Sequence, residues 1–211
     1  MRDEIPSVLI IDDDSEFRDS VARLLRTVGL HTQEFSSVSD FLKAAPWDGP
    51  TCLVLDVRMP GRSGLELQRD LAAANRQVPI IFTTAHADVP MTVQAMKGGA
   101  MEFLTKPFRD QDLIEAVEAG LARDRTRRKS EKASAGLRER FNTLTPRERE
   151  IMLHVMAGRL NKQIAHDIGI TESTVKVHRT NLMRKMNARS LPELSRMAAI
   201  LNLVPEQPQS F

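Results

Sequence analysis

Several residue types that often carry recognition or redox chemistry are scarce in this sequence. The chain has no tyrosine and one tryptophan, Trp47, so we do not expect stacking on single-stranded nucleic acid to be its main activity. Its single cysteine, Cys52, cannot form an internal disulfide. Because Cys52 lies within an apolar run, we expect it to be buried for packing rather than exposed for reaction.

Long apolar stretches are also missing. No apolar run approaches the roughly 20 residues that a membrane span requires. The first residues, 1–6, are polar and lack the hydrophobic region of a signal peptide. We therefore expect a cytoplasmic protein with no membrane partner.

The net charge of +2 conceals a marked asymmetry along the 211 residues. Residues 1–122 carry 12 Lys and Arg against 19 Asp and Glu, whereas residues 123–211 carry 18 against 9. Opposite charge in the two halves indicates an acidic domain joined to a basic domain that meets a polyanion.

The acidic half alternates apolar, strand-length runs with helical patterns. Predicted strands cover 7–11, 31–35, 51–56, 78–83 and 102–105. Predicted helices begin after Asp14 with an apolar face from Phe17, at Ser39, and at 65–74, 90–96 and 110–121. This alternation predicts an α/β domain with a doubly wound, five-stranded parallel sheet. The third strand is apolar up to Asp56, as in a central strand covered on both faces.

Polar side chains stand at the carboxyl ends of four of these strands. They are Asp12 and Asp13, Asp56, Thr84 and Lys106. Strand ends of such a sheet meet at one edge, where three carboxylates would form an oxygen-rich site suited to Mg²⁺. A hydroxyl and an ammonium opposite them suit the oxygens of a phosphoryl group. Each residue alone is equally compatible with helix capping or surface charge, so the joint pattern carries the prediction.

These motifs closely resemble the receiver domain of two-component response regulators. The resemblance rests on residues 11–14, 55–64, 84–85 and 106–108, and it extends over residues 5–122. It implies a flavodoxin-like fold in which a sensor histidine kinase phosphorylates Asp56. It further implies that Asp13 and Asp56 bind Mg²⁺, with Asp12 nearby or bound through water and the Arg58 backbone carbonyl as another ligand.

The same resemblance assigns three further roles. Thr84 would bind a phosphoryl oxygen, and Lys106 would pair with the phosphoryl or carboxylate charge. Phe103 falls at the position of the switch aromatic, which turns inward when the threonine moves. A plain core residue is an equally good interpretation of Phe103.

The high density of charged residues at 123–141 predicts a linker. It extends the preceding helix and then gives way to a flexible joint near Gly136. We expect a solvated connector; direct contact of its arginines with DNA is the alternative.

The basic half carries sharp helix signals. Thr145 and Glu148 form a capping box with proline at the first helical position, and Ser190 begins a second box. Between them lie a short helix at 162–168 and a longer one, capped by Thr171, at 172–186. Two helices joined by a glycine-containing turn predict a small all-α helix-turn-helix domain.

The helix at 172–186 is the candidate reading element. Its polar face is rich in donors suited to bases and phosphates, Lys185 among them. Residues 161–165, 174–179 and 188–190 resemble the LuxR-type DNA-binding domain, and the whole chain resembles a NarL/FixJ-family transcription regulator. The resemblance implies base contacts by Lys176, Val177 and Thr180, and phosphate contacts by Thr174, Arg179 and Arg184.

The sequence thus predicts a receiver at 1–122, a linker at 123–141, a DNA-binding domain at 142–204 and a disordered tail at 205–211. Phosphorylation of Asp56 with Mg²⁺ would switch dimerisation or domain release, and through it sequence-specific binding to double-stranded DNA and transcription. The expected partners are a sensor histidine kinase, the transcription machinery and a second copy of the chain. We expect no enzyme, but a metal-dependent aspartyl-phosphate phosphatase and an adaptor without DNA binding remain alternatives.

Overall fold

A computed structural model describes residues 5–44 and 47–203. The tail predicted at 205–211 lies outside these residues. The chain forms two compact units, the first ending at Arg128 and the second beginning at Lys129. Within the described ranges, no helix combines the length and apolar character needed to cross a membrane.

The first unit contains one parallel sheet. Its strands are β1 (Ser7–Ile11), β2 (His31–Phe35), β3 (Thr51–Asp56), β4 (Ile80–Thr84) and β5 (Glu102–Thr105). Their spatial order is β2-β1-β3-β4-β5, and every pair is parallel. The change of direction between β1 and β3 is the topological switch point at which α/β sheets bind ligands. The predicted doubly wound sheet is confirmed.

Helices cover both faces of this sheet. They are α1 (Ser15–Thr27), α2 (Val38–Lys43), α3 (Gly64–Ala73), α4 (Val89–Lys97) and α5 (Asp110–Asn142). Successive residues of β3 enter opposite apolar layers, with Leu53 and Leu55 in one and Cys52 and Val54 in the other. All six residues of β3 are buried, as predicted for a central strand.

Cys52 is fully buried, and desolvation raises the pKa of its thiol far above the usual range. A Cβ atom added to Gly120 of α5 would lie 2.6 Å from Cys52 Sγ. The cysteine therefore marks a close contact between helix and sheet, which agrees with the packing role expected for it.

Several local predictions were wrong, among them the start of the fourth strand, which lies at Ile80 rather than at residue 78. The second helix begins at Val38 rather than Ser39, because the Ser37 side chain accepts the Asp40 N–H and so caps the helix. The stretch expected to contain a flexible joint near Gly136 is helical throughout, since α5 continues to Asn142. Asp124 in this stretch is 1% exposed, although we expected a solvated connector.

The second unit is entirely helical in its described part. After the end of α5 it contains α6 (Pro146–Met156), α7 (Asn161–Asp167), α8 (Glu172–Met186) and α9 (Leu191–Ile200). The Thr145–Glu148 box is formed, and Glu148 additionally accepts a hydrogen bond from Lys185 Nζ at 2.7 Å. A separate apolar core, which includes Ile151, Ile164 and Leu182, joins these helices. The predicted helix-turn-helix corresponds to α7 and α8.

Candidate functional site

Three carboxylates meet at the carboxyl edge of the sheet. Asp12 and Asp13 follow β1, and Asp56 ends β3; each offers an oxygen atom, and these atoms lie within 4.8 Å of one another. Asp12 and Asp56 are 2% and 6% exposed, whereas Asp13 is open to solvent. An oxygen-only donor set with one accessible member fits Mg²⁺, which retains several waters in its sites.

Lys106 joins this cluster from the end of β5. Its Nζ donates to Asp12 Oδ2 at 2.7 Å and to Asp56 Oδ1 at 3.4 Å. Its backbone N–H donates to the Thr84 carbonyl at 2.8 Å, which ties it to the end of β4. The polar residues predicted at the strand ends are thus brought together at one edge of the sheet.

The pKa of Asp56 is raised from 3.8 to about 6. Burial is the largest cause, because it disfavours the charged carboxylate, and the negative charge of Asp12 adds to it. Lys106 and the Arg58 N–H, which donates to Asp56 Oδ2 at 3.0 Å, oppose the shift. A divalent cation bound here would also oppose the shift, because its positive charge favours the ionised carboxylate.

The two residues predicted to switch lie on neighbouring strands. Thr84 is 1% exposed, and its Oγ1 accepts the His86 N–H at 3.3 Å. Phe103 is half-buried on β5, with its ring centroid 6.2 Å from that of Phe82. Their roles stay predictions, as does that of the Arg58 carbonyl; the Arg58 side chain points to Asp88, 3.8 Å away at the surface.

Four of the predicted DNA contacts share one face of α8. Lys176, Val177, Thr180 and Arg184 are all exposed, and their spacing places them along one side of the helix. Val177 is 59% exposed, although the opposite face of the helix is packed. Such an apolar residue among donors suits the methyl group of thymine.

The other candidate donors of α8 are engaged inside the unit. Arg179 Nη1 donates to Asn161 Oδ1 of α7 at 2.6 Å, and Thr174 Oγ1 lies 2.8 Å from the capping Thr171 Oγ1. Lys185 pairs with the buried Glu148. Lys185, counted among the possible DNA-binding donors, thus links α8 to α6, and Arg179 links α8 to α7. The phosphate contacts assigned to Thr174 and Arg179 stay predictions.

Sequence reasoning missed two residues. Phe17 was assigned to the apolar face of its helix, but its ring centroid lies 3.6 Å from Lys106 Nζ. Asp124 was assigned to a solvated stretch, but its Oδ2 accepts the buried Thr51 N–H at 2.9 Å. A signal for Asp124 exists, since it follows the buried Leu121 by three residues on one helix face.

Two family models match the chain. The response regulator receiver domain matches residues 8–118, which contain the carboxylate cluster and Lys106. The model of bacterial regulatory proteins of the luxR family matches residues 142–198, which contain α6 to α8 and most of α9.

Similar proteins span nearly the whole chain. Nodulation protein W of Bradyrhizobium diazoefficiens is 49% identical over 196 residues, which cover 93% of this chain and 86% of that protein. Transcriptional regulatory protein FixJ of Azorhizobium caulinodans is 44% identical over 205 residues, 97% of each. The solved structure of the response regulator StyR matches with a TM-score of 0.85 at 46% identity, covering 92% of this chain and 98% of that chain.

Proposed function

Because this chain belongs to the two-component response regulators that join a receiver domain to a LuxR-family DNA-binding domain, we propose that Asp56 is its phosphoacceptor. One observation carries the proposal: the buried Asp56 lies against Asp12, Asp13 and Lys106 at the carboxyl edge of the sheet. The matches at 8–118 and 142–198 support a receiver at 1–122, a linker at 123–141 and a DNA-binding domain at 142–204.

The proposed reaction is transfer of a phosphoryl group from a kinase phosphohistidine. A carboxylate oxygen of Asp56 forms the new O–P bond as the P–N bond breaks, and the electron pair stays on the imidazole, which takes up a proton. Asp12, Asp13 and Asp56 would hold Mg²⁺, aided by the Arg58 carbonyl. Bound Mg²⁺ neutralises charge on the carboxylates and the phosphoryl oxygens.

Lys106 is the group of the protein itself that supplies positive charge to the carboxylates and the phosphoryl oxygens. Its ammonium already lies near Asp56, so it stabilises negative charge on the equatorial phosphoryl oxygens without a large movement. Thr84 closes on one of these oxygens, giving up its bond with the His86 N–H. Phe103 on the adjacent strand then turns inward, so the part of the sheet that moves in this proposal is the edge at β5.

The output is control of DNA binding. Exposed apolar residues on α4, namely Val89, Val93 and Met96, support formation of a homodimer through this face. A dimer would place two copies of α8 in successive major grooves. The relatives named as transcriptional regulators support action on double-stranded DNA with the transcription machinery, in the cytoplasm, rather than phosphatase turnover or a purely adaptor role.

The raised pKa of Asp56 makes metal binding depend on pH. Below about pH 6 the carboxyl is protonated, so Mg²⁺ must displace a proton. We expect Mg²⁺ affinity, measured by isothermal titration calorimetry, to be about tenfold weaker near pH 5 than near pH 7.5, and the stabilisation by Mg²⁺ to shrink accordingly. Since folding raises this pKa from 3.8, the metal-free protein should lose stability as the pH rises from about 4 to 6.

The Asp56→Asn variant is the matched control for this titration. It removes the ionisable group and keeps the size of the side chain, so its residual Mg²⁺ affinity should change much less over the same range. Equal pH dependence in the variant and the natural protein would assign the proton to another group and contradict the prediction.

For the DNA-binding domain, we predict that Lys176 contacts a base. Lys176 is exposed on α8, and its ion-pair partner within the described ranges is Glu172, one turn earlier at 3.3 Å, so it is available to a base edge. Lys176→Ala should weaken specific binding by roughly 1–3 kcal/mol. The measurement is fluorescence anisotropy of the phosphorylated protein on a duplex obtained by selection from random sequences.

Arg196→Ala is the charge-matched control, because Arg196 is exposed and lies on α9 rather than on the proposed reading helix. A loss limited to Lys176→Ala supports base reading. Equal small losses in both variants would show that Lys176 contributes only general electrostatic attraction.

A further inference from the structure

Lys106 is held at the acidic cluster by three contacts, one of which has an uncharged partner. Besides the two carboxylates, its ammonium lies over the ring of Phe17, with Nζ 3.6 Å from the ring centroid. This is well inside the roughly 6 Å range of a cation–π interaction. The lysine side chain is 17% exposed, so the contact is largely shielded from water.

The two carboxylates compete for the ammonium. Nζ lies 0.7 Å closer to Asp12 Oδ2 than to Asp56 Oδ1, at 2.7 and 3.4 Å. A lysine on a flexible four-carbon chain would follow its strongest partner. The face of an aromatic ring attracts the ammonium without accepting a conventional hydrogen bond, so it restrains Nζ and leaves its protons for oxygen atoms.

The ring of Phe17 is itself fixed. The Asp14 side chain accepts the backbone N–H of Phe17 at 3.2 Å at the start of α1. Phe108 packs edge to face against the ring, with centroids 5.9 Å apart and an interplanar angle of 88°. The segment that carries Asp12 and Asp13 therefore also sets the position of the ring.

We propose that Phe17 is a positioning residue that holds the Lys106 ammonium beside Asp56 for phosphoryl transfer. The ring supplies an aromatic face, and that property, rather than apolar bulk, determines the rate. The inference deepens the proposed phosphorylation of Asp56 and rests on it.

The test compares Phe17→Leu with Phe17→Trp in the full chain. Leucine keeps the apolar bulk and helix propensity but removes the ring, so phosphorylation by acetyl phosphate with Mg²⁺ should slow by about fivefold. Tryptophan is the strongest cation–π partner, and the cavity of about 360 Å³ that Phe17 lines leaves room for it. Phe17→Trp should therefore match or exceed the natural rate. A small-molecule donor excludes effects on kinase docking.

Phe35→Leu is the matched control. Phe35 is also half-buried and packs edge to face, with its ring centroid 5.6 Å from that of Phe41, but none of the described ring–cation contacts involves it. Its rate should stay within twofold of the natural protein. Thermal unfolding of all the variants separates slow reaction from loss of fold.

The outcomes are distinct. Slow phosphorylation of Phe17→Leu together with phosphorylation of Phe17→Trp at the natural rate or faster supports the proposal. Two outcomes overturn the proposal while leaving Asp56 as phosphoacceptor. Phe17→Leu is phosphorylated within twofold of the natural rate, or Phe17→Trp is phosphorylated as slowly as Phe17→Leu. Absence of labelling in the natural protein, or undiminished labelling of Asp56→Asn, would instead overturn the proposed function.

Discussion

Asp56→Asn is expected to reduce labelling by radioactive acetyl phosphate in the presence of Mg²⁺ to below detection. Asparagine preserves the side-chain volume and an oxygen that accepts the Arg58 N–H, but it provides no anionic oxygen to attack phosphorus. It also removes one of three carboxylates from the predicted metal site. Both changes act on the same step, so the expected effect is larger than for any neighbouring residue.

Loss of labelling should not come from loss of fold. The raised pKa of Asp56 means that its charged form is disfavoured in the folded, metal-free protein, so a neutral replacement should preserve or increase stability.

Light scattering should also show that acetyl phosphate increases the molecular mass of the natural protein, as expected for a dimer, but not that of the variant. Asp19→Asn, an exposed acid on α1, is the control and should label normally. Stoichiometric labelling of Asp56→Asn would remove it as the acceptor.

The second large effect is expected at Asp124, which affects stability rather than chemistry. Its carboxylate is buried, accepts the Thr51 N–H, and pairs with Arg127 at 2.5 Å and Arg128 at 2.7 Å. Asp124→Ala would leave the fully buried Thr51 N–H without its acceptor and two arginines without that partner. We expect the receiver to lose about 2–4 kcal/mol of unfolding free energy.

Urea unfolding followed by tryptophan fluorescence measures this loss. Trp47 is the only tryptophan and lies in the first unit, packed on Phe41, so its emission reports that unit alone. Asp124→Asn is the informative companion, because its amide oxygen still accepts the Thr51 N–H. It should lose roughly half as much as alanine. Equal stability of Asp124→Ala and the natural protein would mean that the carboxylate contributes nothing to the fold.

Local sequence patterns predicted most of the receiver, for a physical reason. Strand-length apolar runs and capping residues act over a few positions, and the parallel arrangement then brings all carboxyl ends to one edge. Asp56 and Lys106 are 50 residues apart and still fall together under this rule. The predicted α8, 172–186, agrees with the structure at both ends because Thr171 caps it and Asn187 ends it in a left-handed conformation.

The features that escaped prediction depend on how faces pack. Phe17 has the spacing of a core residue, and only the tertiary structure shows which cation its ring meets. The contacts of Arg179 with Asn161 and of Lys185 with Glu148 join α8 to neighbouring helices, and no local pattern in the sequence indicates these partners. In the linker, a high local charge density concealed that Asp124 continues the buried face of α5.

The bond between Asp124 and Thr51 has a consequence for how the receiver responds. Thr51 begins β3 and Asp56 ends it, so the strand of the proposed phosphoacceptor is tethered at its far end, flanked by β1 and β4, and covered on both faces. β5, in contrast, is an edge strand, with Glu102 and Thr105 open to solvent. In the proposed response, β3 would therefore serve as the stationary frame, and displacement on phosphorylation of Asp56 would be directed sideways to the margin formed by β5 instead of lengthwise along β3.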